Sequence, residues 1–321
     1  MTARRIALAA GLAFSAVSAA AIAARYVPIT HHAAVVAAAF VPVLSLCAFA
    51  ALLLSVAARH WPAAVAATGL SVTATAVQMP QYLPAEARTG AVTVRVMTAN
   101  VHLGQADTEQ LARSAEDRAD ILAVQELTPS AARRLSSRLS PTFPFRVVEA
   151  RDEAAGAGLW SRYPIRDAQR IPGYRMVMLS GRVHIDDGGT DPTVVVGHMS
   201  GPWPQPVADW QADIAQASET MRELARGANG AATVVMGDFN STLDARPFRA
   251  LLHNGFRDAA QQAGVGSPPT YPADSAVPPL IAIDHVISRG ATAVSLSAVA
   301  LPGSDHRGLV ATLEFDWSPS R

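Results

Sequence analysis

Residues 234–242 read Val-Val-Met-Gly-Asp-Phe-Asn-Ser-Thr, and this stretch decides how the rest of the chain is interpreted. Its apolar beginning predicts a buried strand, and Gly237 lets the backbone turn tightly where the strand ends. Asp238 and Asn240 stand two residues apart, so in an extended chain their side chains point to the same side. A carboxylate and a carboxamide placed there suit work on a phosphate, because one can activate water while the other donates hydrogen bonds. Taken alone, the stretch is also compatible with a strand followed by an Asx turn.

The apolar residues are concentrated in the first quarter of the 321-residue chain. Residues 1–80 contain no Asp or Glu and only four arginines. About 20 apolar residues, each rising about 1.5 Å along a helix, span the core of a bilayer. The apolar runs are residues 6–24, 33–58 and 63–79. We therefore predict a membrane domain over 1–80 with about three transmembrane helices, a linker over 81–90 and a second domain over 91–321.

The arginines around these runs predict the orientation of the chain. Arg4, Arg5 and Arg59 are expected on the cytoplasmic side, because positive charge is enriched there. Arg25 and Arg88 are expected on the other side. This arrangement places the second domain outside the cytoplasm, in a multi-pass protein of the cell membrane.

Two alternatives concern the first and third apolar runs. Residues 21–23 (Ala-Ile-Ala) resemble a signal-peptidase site, so the first run can be a cleaved signal, which leaves the orientation unchanged. The orientation reverses if the run 63–79 does not span the membrane. The sole cysteine, Cys47, excludes a disulfide within the chain.

The second domain alternates predicted strands and helices, which favours an α/β fold. It holds 21 arginines against 25 acidic residues, a net charge of −4. An acidic domain is a poor non-specific binder of nucleic acid, because contacts to phosphates need a basic surface.

Polar residues of catalytic type stand at the ends of the predicted strands of this domain. All of them follow a strand except Asp305 and His306, which precede the apolar run at Leu309 and Val310. Strands that share a sheet can bring such ends to one edge, and sites favour strand ends and their loops. Any one of these residues is explained as a cap or a turn, whereas so many in one domain favour a common site. They are Asn100, Glu126, His198, Asp238, Asn240, Asp284, Asp305 and His306.

The residue types fit hydrolysis of a phosphoester. Asn100, Glu126 and Asp305 offer hard oxygen ligands, which Mg²⁺ and Mn²⁺ prefer. Asp238 can activate a water. A metal, a base and amide donors are the parts needed for in-line attack of water on phosphorus.

The histidines add positive charge to this set. His306 beside a carboxylate such as Asp284 is expected to stay protonated, because a nearby carboxylate raises the pKa of a histidine. It would then stabilise charge on the phosphoryl oxygens. His198 is a candidate for a second charge stabiliser or an acid.

Short motifs occur in a fixed order along the second domain. They read Met97-Thr98-Ala99-Asn100, Ala123-Val124-Gln125-Glu126, Ser161-Arg162-Tyr163-Pro164-Ile165, Gly197-His198-Met199, Gly237-Asp238-Phe239-Asn240, Ile283-Asp284-His285 and Ser304-Asp305-His306-Arg307. Their order and spacing resemble the endonuclease/exonuclease/phosphatase superfamily, which includes DNase I-like nucleases, sphingomyelinases and inositol-phosphate phosphatases. The resemblance covers nearly all of residues 91–317. It implies a four-layer sandwich of two mixed β-sheets with helices outside, within the α/β (α+β) class.

The resemblance also implies a metal site. Glu126 would be the principal ligand, with Asn100 and Asp305 near the metal. His102 stands where some relatives carry an aspartate, which puts a second metal-binding mode in doubt. His285 stands where an aromatic residue is common.

The remaining implied roles concern the water and the phosphate. Asp238 would orient or activate the water, with Asn240 beside it. Asp284 would pair with His306, and His198 would contact the scissile phosphate.

Three further residues are weaker candidates for substrate binding. Arg162 and Arg182 can contact a phosphate, although the motif around Arg162 is also typical of a strand-to-turn junction. Trp203, between two prolines, can line a substrate groove, face lipid or simply pack.

The motifs point to phosphoester hydrolysis, and the apolar helices point to the substrate. A catalytic domain held close to a bilayer meets lipid head groups at a high effective concentration. Helices ahead of such a domain also resemble the VanJ-like teicoplanin-resistance membrane proteins of actinobacteria, thought to act on lipid-linked phosphates of the undecaprenyl type. The leading hypothesis is a membrane-anchored phosphoesterase that uses Mg²⁺ or Mn²⁺, with the bilayer and a lipid-linked phosphate as partners. The alternatives are a membrane-tethered extracellular nuclease and a non-catalytic membrane scaffold that keeps the fold.

Overall fold

The computed structural model describes residues 2–86, 92–185, 191–228 and 230–315. Residues 87–90 of the predicted linker, which include Arg88, lie outside the described residues. The prediction that Arg88 lies on the outer side therefore stays a prediction.

Helices form the first part of the chain. They are α1 (Thr2–Ala24), α2 (His32–Ala39), α3 (Val41–Ser45), α4 (Cys47–Ala57) and α5 (Trp61–Gln78), followed by a 3-10 turn at Met79–Tyr82. By length and composition α1 alone among the single helices of residues 2–86 could cross a membrane. A second candidate arises only if α2 and the segment Val41–Ala57 count as one span, and these are bent by 64°. The prediction of about three transmembrane helices is corrected accordingly.

Two local features explain the difference. Pro42 stands in the first turn of α3; it has no N–H to donate to the carbonyl of Ala38 and its ring crowds that carbonyl, so the helix breaks at Phe40. α5 carries four hydroxyl residues that lower its mean hydropathy. For this reason α5 is not apolar enough to count as a membrane span, whereas α1 is. Each hydroxyl donates to the carbonyl four residues earlier at 2.9 Å, namely from Thr68, Ser71, Thr73 and Thr75.

α1 packs antiparallel to α4. The Oγ of Ser18 donates to the carbonyl of Ser45 at 3.1 Å, and a Cβ added at Gly11 would lie 3.1 Å from the Oγ of Ser55. Small residues at such contacts let two helices approach closely. The antiparallel register brings the beginning of α1 next to the turn that contains Arg59. The opposite end of the bundle contacts the second domain.

The second domain contains two mixed six-stranded sheets. Its strands are β1 (Val92–Asn100), β2 (Ile121–Gln125), β3 (Phe145–Glu149), β4 (Ala157–Ser161), β5 (Ile165–Ile171), β6 (Met178–Val183), β7 (Thr193–His198), β8 (Thr233–Asp238), β9 (Arg257–Asp258), β10 (Asp284–Arg289), β11 (Ala291–Val299) and β12 (Gly308–Phe315). The strand orders are β11-β12-β1-β2-β4-β3 and β5-β6-β7-β8-β10-β9. Its helices are α6 (Thr108–Arg118), α7 (Pro129–Leu139), α8 (Val207–Gly227), α9 (Arg246–Arg249) and α10 (Ala259–Ala263).

The two sheets pack face to face with helices on both outer surfaces. Alternate residues of β1 and β8, such as Val96 and Val234, form the buried core between the sheets. The other face of the first sheet packs under α6 and α7, and the other face of the second sheet packs under α8. α8 buries Trp210 and Ile214 against this sheet. The predicted four-layer sandwich of two mixed sheets is thereby confirmed.

Parallel strand pairs at the centre of each sheet position the polar strand ends. β1 pairs in parallel with β2, so Asn100 lies opposite Gln125, and the chain reaches Glu126 at the same edge. β7 pairs in parallel with β8, which puts His198 opposite Asp238. β10 runs antiparallel to β8 and starts at this edge, with Asp284 opposite Asp238. Both sheets therefore present their catalytic-type residues along one rim.

Candidate active site

Asn100 connects the first sheet to the second at this rim. Its amide nitrogen donates to Oε1 of Glu126 at 3.1 Å and to Oδ2 of Asp238 at 3.0 Å. Its oxygen accepts the backbone N–H of His102 at 2.9 Å. This orientation gives every polar atom of the amide a partner, which is how amide orientations are assigned. The sequence predicted that Asn100 is a metal ligand. In the structure its amide links the carboxylate of Glu126, the predicted metal ligand, to that of Asp238, the predicted base.

The turn after β8 fixes Asp238 and Asn240. Gly237 has φ 150°, and a Cβ at this position would lie 1.8 Å from the carbonyl oxygen of Gly197, so the backbone can pass only as glycine. The N–H of Asn240 donates to Oδ1 of Asp238 at 2.7 Å, which is an Asx turn. The amide nitrogen of Asn240 donates to the carbonyl of Met199 at 3.0 Å. The sequence left an Asx turn and a catalytic site as alternative interpretations of residues 234–242. The structure shows that the Asx turn is present and positions the side chains of the site.

Asp238 is buried and in contact with several ionisable groups. Burial raises the pKa of Asp238 to about 6, and the neighbouring charge of Asp284 adds to this, while His306 and His198 oppose it. A carboxylate with a pKa close to the working pH combines a useful fraction of deprotonated form with a strong tendency to take a proton. The environment of Asp238 therefore suits a general base.

His306 lies between two carboxylates. Its Nδ1 is 2.8 Å from Oδ2 of Asp284, and its Nε2 is 3.7 Å from Oδ2 of Asp238. Burial alone would lower the pKa of His306, but the charges of Asp284 and Asp238 outweigh burial and raise it to about 10. The ring is therefore an imidazolium at neutral pH, as its place beside Asp284 led us to expect.

His198 faces the same carboxylates from the second sheet. Its Nε2 lies 3.9 Å from Oε1 of Glu126 and 3.8 Å from Oδ2 of Asp238. The buried Nδ1 has no hydrogen-bond partner among the residues that the structure describes. The Nε2 edge is thus the one presented to the site, where it can reach a phosphoryl oxygen placed between the two carboxylates.

Glu126 and Asp305 form the partly exposed mouth of the site. Oε2 of Glu126 accepts the N–H of Leu103 at 2.8 Å, and Nδ1 of His102 lies 3.6 Å from Oδ1 of Asp305. Burial raises the pKa of Asp305, and the nearby charge of Glu126 raises it further, whereas His306 and His102 oppose the shift. Two carboxylates whose charges disfavour each other, with oxygen atoms open to solvent, form a donor set that fits Mg²⁺ or Mn²⁺. When bound, such an ion would neutralise charge on the phosphoryl oxygens.

A second cluster also has the composition of a metal site. Asp238, Asp284 and His306 offer ligand atoms within 4.8 Å of one another. An imidazolium has no free nitrogen lone pair for a cation, and both nitrogens of His306 already face carboxylates. The described residues still offer two sets of donors for a divalent cation, this buried cluster and the more open carboxylates of Glu126 and Asp305.

Two of the weaker candidates lie at the wrong end of the sheets. Ser161 pairs with Ile121 at the beginning of β2, so the neighbouring Arg162 lies far from Glu126, and it donates to the carbonyl of Ala119 at 3.0 Å. Arg182 pairs with Thr193 at the beginning of β7, while His198 ends that strand. Its guanidinium forms an ion pair with Asp167 at 2.9 Å. The structure does not bring Arg162 or Arg182 to the site.

Trp203 lies in the wall of a cavity that also includes Asn240. It is exposed, and its ring stacks edge-on against His32 of α2 with centroids 4.6 Å apart. The tryptophan therefore marks a contact between the helical segment and the rim.

Three residues at the site were missed. The ring of Tyr271 lies 5.0 Å from that of His306, centroid to centroid. The hydroxyl of Thr270 accepts the N–H of Ile283 at 3.2 Å, next to Asp284. Both belong to a Pro-, Gly- and Ser-rich segment that carries no periodic signal.

Ser304 is the third residue. Its hydroxyl donates to the carbonyl of Asn100 at 2.7 Å and accepts the N–H of His306 at 3.0 Å. The hydroxyl thus joins the end of β1 to the loop that carries His306. Ser304 is the first residue of the motif Ser304-Asp305-His306-Arg307. Its place in this motif was the feature of the sequence that could have indicated its role.

A two-sheet sandwich whose rim gathers a buried base, an imidazolium and an open pair of carboxylates defines a metal-dependent hydrolase of phosphoester bonds. The family model described as Endonuclease/Exonuclease/phosphatase family matches residues 97–306. The chain belongs to this family, and like its members it is a metal-dependent hydrolase that acts on phosphoester bonds.

Solved structures show the same fold at low identity. An endonuclease/exonuclease/phosphatase from Bacteroides vulgatus matches with a TM-score of 0.57 and 18% identity over 70% of this chain and 100% of its own. The mannosyl-6-phosphatase Bt3783 of Bacteroides thetaiotaomicron gives a TM-score of 0.55 and 17% identity over 69% and 100% of the two chains. D. rerio TDP2, complexed with a single-strand DNA product, gives a TM-score of 0.57 and 18% identity over 69% of this chain and 98% of its own. No curated protein sequence matches the chain.

Proposed function

We propose that this protein is a membrane-anchored phosphoesterase that hydrolyses a lipid-linked phosphate at the outer face of the membrane. The observation that carries the proposal is the outer surface of the helical bundle. Leu53, Val65 and Val72 are 71%, 72% and 64% exposed there. Large apolar side chains exposed in this way fit hydrocarbon better than water.

The helical bundle is joined to the catalytic domain by polar contacts. Arg25, directly after α1, forms a buried ion pair with Asp244. The amide of Gln211 donates to the carbonyl of Ile29, and Nε2 of His32 lies 3.1 Å from the carbonyl of Gln205. These contacts hold the rim close to the proposed membrane surface, which raises the effective concentration of a lipid substrate.

The distribution of arginines supports the orientation. Arg4 and Arg5 begin α1, and Arg59 lies in the turn at the same end of the bundle, away from the catalytic domain. By the positive-inside rule this end faces the cytoplasm. Although α5 falls short of a membrane span by composition, it begins beside Arg59 and ends where Gln78 contacts Asp244 of the catalytic domain, so in the proposed orientation it returns to the outer face beside α1. The positive charge of Arg25 at the opposite end is neutralised by Asp244, so Arg25 does not oppose this orientation.

The site residues account for hydrolysis with balanced atoms. Asp238 takes a proton from water as the water oxygen forms a bond to phosphorus and the bond from phosphorus to the leaving oxygen breaks. The imidazolium of His306 and the Nε2 edge of His198 lie where they stabilise the phosphoryl oxygens. Glu126 and Asp305 would hold the divalent ion. The leaving oxygen departs as an alcohol, or as a lipid phosphate if the substrate is a pyrophosphate, after taking up a proton.

A membrane-tethered nuclease is the second candidate. The resemblance to TDP2 bound to a single-strand DNA product favours it at the level of the fold. The net charge of −4 over residues 91–321 argues against it, because a nuclease needs a surface that attracts phosphates. The mannosyl-6-phosphatase shows that the same fold is also used on a phosphate monoester.

The proposal is tested with the purified full-length protein in detergent and Mg²⁺. Undecaprenyl phosphate, undecaprenyl pyrophosphate and plasmid DNA are assayed in parallel. We expect release of inorganic phosphate from a lipid substrate and no cleavage of the plasmid. Robust DNA cleavage without lipid turnover would contradict the proposal, and protease protection in intact cells checks the orientation.

A further inference from the structure

A cavity of about 230 Å³ lies between the helical bundle and the catalytic domain. On the helical side its walls come from Ile29 before α2 and from Val36, Ala39 and Phe40 in and after α2. On the catalytic side they include Trp203 and Trp210. Neither domain encloses the cavity alone.

The cavity opens directly onto the catalytic rim. Asn240, whose N–H binds the carboxylate of Asp238 at 2.7 Å, is part of its wall. Tyr271 is another part, and its ring lies 5.0 Å from the ring of His306. A group that leaves the phosphorus atom at this rim therefore has the cavity beside it.

The chemistry of the walls selects the kind of group that fits. Aliphatic and aromatic side chains dominate, with the amide of Asn240 and hydroxyls such as Ser241 at the rim side. One wall of the cavity, formed by Val36, Ala39 and Phe40, belongs to the apolar helical bundle, and Val36 is half exposed. An apolar space with a few polar groups at one end fits an amphiphile with its polar end towards the metal.

We propose that this cavity holds the first carbons of the hydrocarbon chain of the lipid substrate while its phosphate lies at the rim. This inference rests on the proposed function and extends it, because it makes α2 part of the substrate site and not only an anchor. The cavity is smaller than the pockets that enclose whole drug-sized ligands, so the rest of the chain would remain in the bilayer.

The inference predicts how activity depends on chain length. Burying one methylene group favours binding about fourfold, so kcat/KM should rise by about this factor per carbon until the cavity is full. Beyond that length the rise should stop. A site that recognises the phosphate alone would show no such rise.

The experiment uses the full-length protein with butyl, hexyl, octyl and decyl phosphate, each below its micelle concentration, and with undecaprenyl phosphate in detergent. Ala39→Trp fills the cavity, and Val36→Phe is a second filling variant in case the first does not fold. Ala33→Trp is the matched control, because Ala33 is exposed on the same helix and is not part of the cavity wall. Thermal unfolding identifies the variants that are folded.

For the wild type and Ala33→Trp we expect the decyl-to-butyl ratio of kcat/KM to exceed about tenfold. For Ala39→Trp or Val36→Phe we expect this ratio to fall at least fivefold, with a parallel loss on undecaprenyl phosphate. A flat chain-length series, or filling variants that match the wild type while lipid phosphate is turned over, would overturn the cavity assignment alone. No turnover of any lipid phosphate, with hydrolysis of another phosphoester retained, would overturn the proposed function and the inference with it.

Discussion

Nδ1 of His306 lies 2.8 Å from Oδ2 of Asp284, and this contact joins the two sheets of the sandwich. His306 precedes β12 of the first sheet, and Asp284 begins β10 of the second. The positive charge at the rim therefore exists only when the two sheets are packed together. The charge network is a property of the tertiary fold.

Removing the imidazolium is expected to slow hydrolysis without unfolding the protein. His306→Asn should lower kcat about 10²- to 10³-fold, the usual effect of losing one group that stabilises transition-state charge. Asp284→Asn should lower the pKa of His306, because Asp284 is the strongest of the groups that raise it. Phosphate release and NMR titration of the histidine ring measure these two effects. His253→Asn is the control at an exposed histidine, and an equal loss in His306→Asn and His253→Asn would contradict the assignment.

Metal binding is expected to stabilise the wild-type protein. Mg²⁺ or Mn²⁺ at about 100 times its dissociation constant should add about 2.7 kcal/mol to the free energy of unfolding. Glu126→Gln should abolish this gain, and a chelator should remove the activity of the wild type. Glu116→Gln is the matched control, because Glu116 pairs with Arg138 away from the rim. A full metal-induced rise of the unfolding temperature in Glu126→Gln would refute the ligand assignment.

The turn before Asp238 is expected to tolerate only glycine. In Gly237→Ala the new Cβ would lie 1.8 Å from the carbonyl oxygen of Gly197, at a backbone φ of 150°. We expect the free energy of unfolding to fall by about 3 kcal/mol or more. Gly227→Ala is the control, because a Cβ there meets nothing within 4 Å, and it should be neutral or stabilising by up to about 1 kcal/mol. Equal unfolding temperatures for the two variants would argue against the described turn.

A buried pair next to the site predicts how stability depends on pH. Nδ1 of His285 lies 2.7 Å from Oδ2 of Asp258. Burial opposes protonation of His285, but Asp258 and the neighbouring hydrogen bonds outweigh it and raise its pKa above 6.5. The folded state thus holds a proton that the unfolded state releases near pH 6.5, so this stabilisation is complete below about pH 6.5 and is lost as the pH rises through the folded pKa.

Asp258→Asn removes the charge that keeps His285 protonated. The difference in unfolding temperature between wild type and variant should therefore shrink as the pH rises above about 6.5. Thermal unfolding of the full-length protein in detergent at several pH values measures it. A difference that stays constant, or grows with pH, would show that His285 is neutral in the folded protein.

The rim could be predicted from the sequence because its signals are local. Asn100, Glu126, His198 and Asp238 each follow a short apolar run, and parallel pairing of such runs brings their ends together. The sequence of residues 234–242 predicted either an Asx turn or a catalytic site. In the structure the Asx turn orients the side chain of Asp238 in the site.

Other features depend on register and packing, which local patterns do not carry. Arg162 and Arg182 were misplaced because their position at the far end of the strands follows from pairing partners distant in sequence. Tyr271 reaches His306 only through the path of a long loop. The run 63–79 is helical as expected, but its hydroxyl groups bond to its own backbone and leave it too polar to count as a span by composition.

The central claim is that Asp238 is the base at a metal-dependent phosphoesterase site, and isosteric replacement tests it most directly. Single-turnover release of phosphate from undecaprenyl phosphate is measured with Mg²⁺ for the wild type and for Asp238→Asn. The control is Asp120→Asn, whose carboxylate pairs with Arg95 at the opposite end of the sheet. We predict that Asp238→Asn lowers the rate about 10²- to 10⁴-fold at an unchanged unfolding temperature, while Asp120→Asn stays within about threefold of the wild type. A folded Asp238→Asn protein that keeps the wild-type rate would contradict the account.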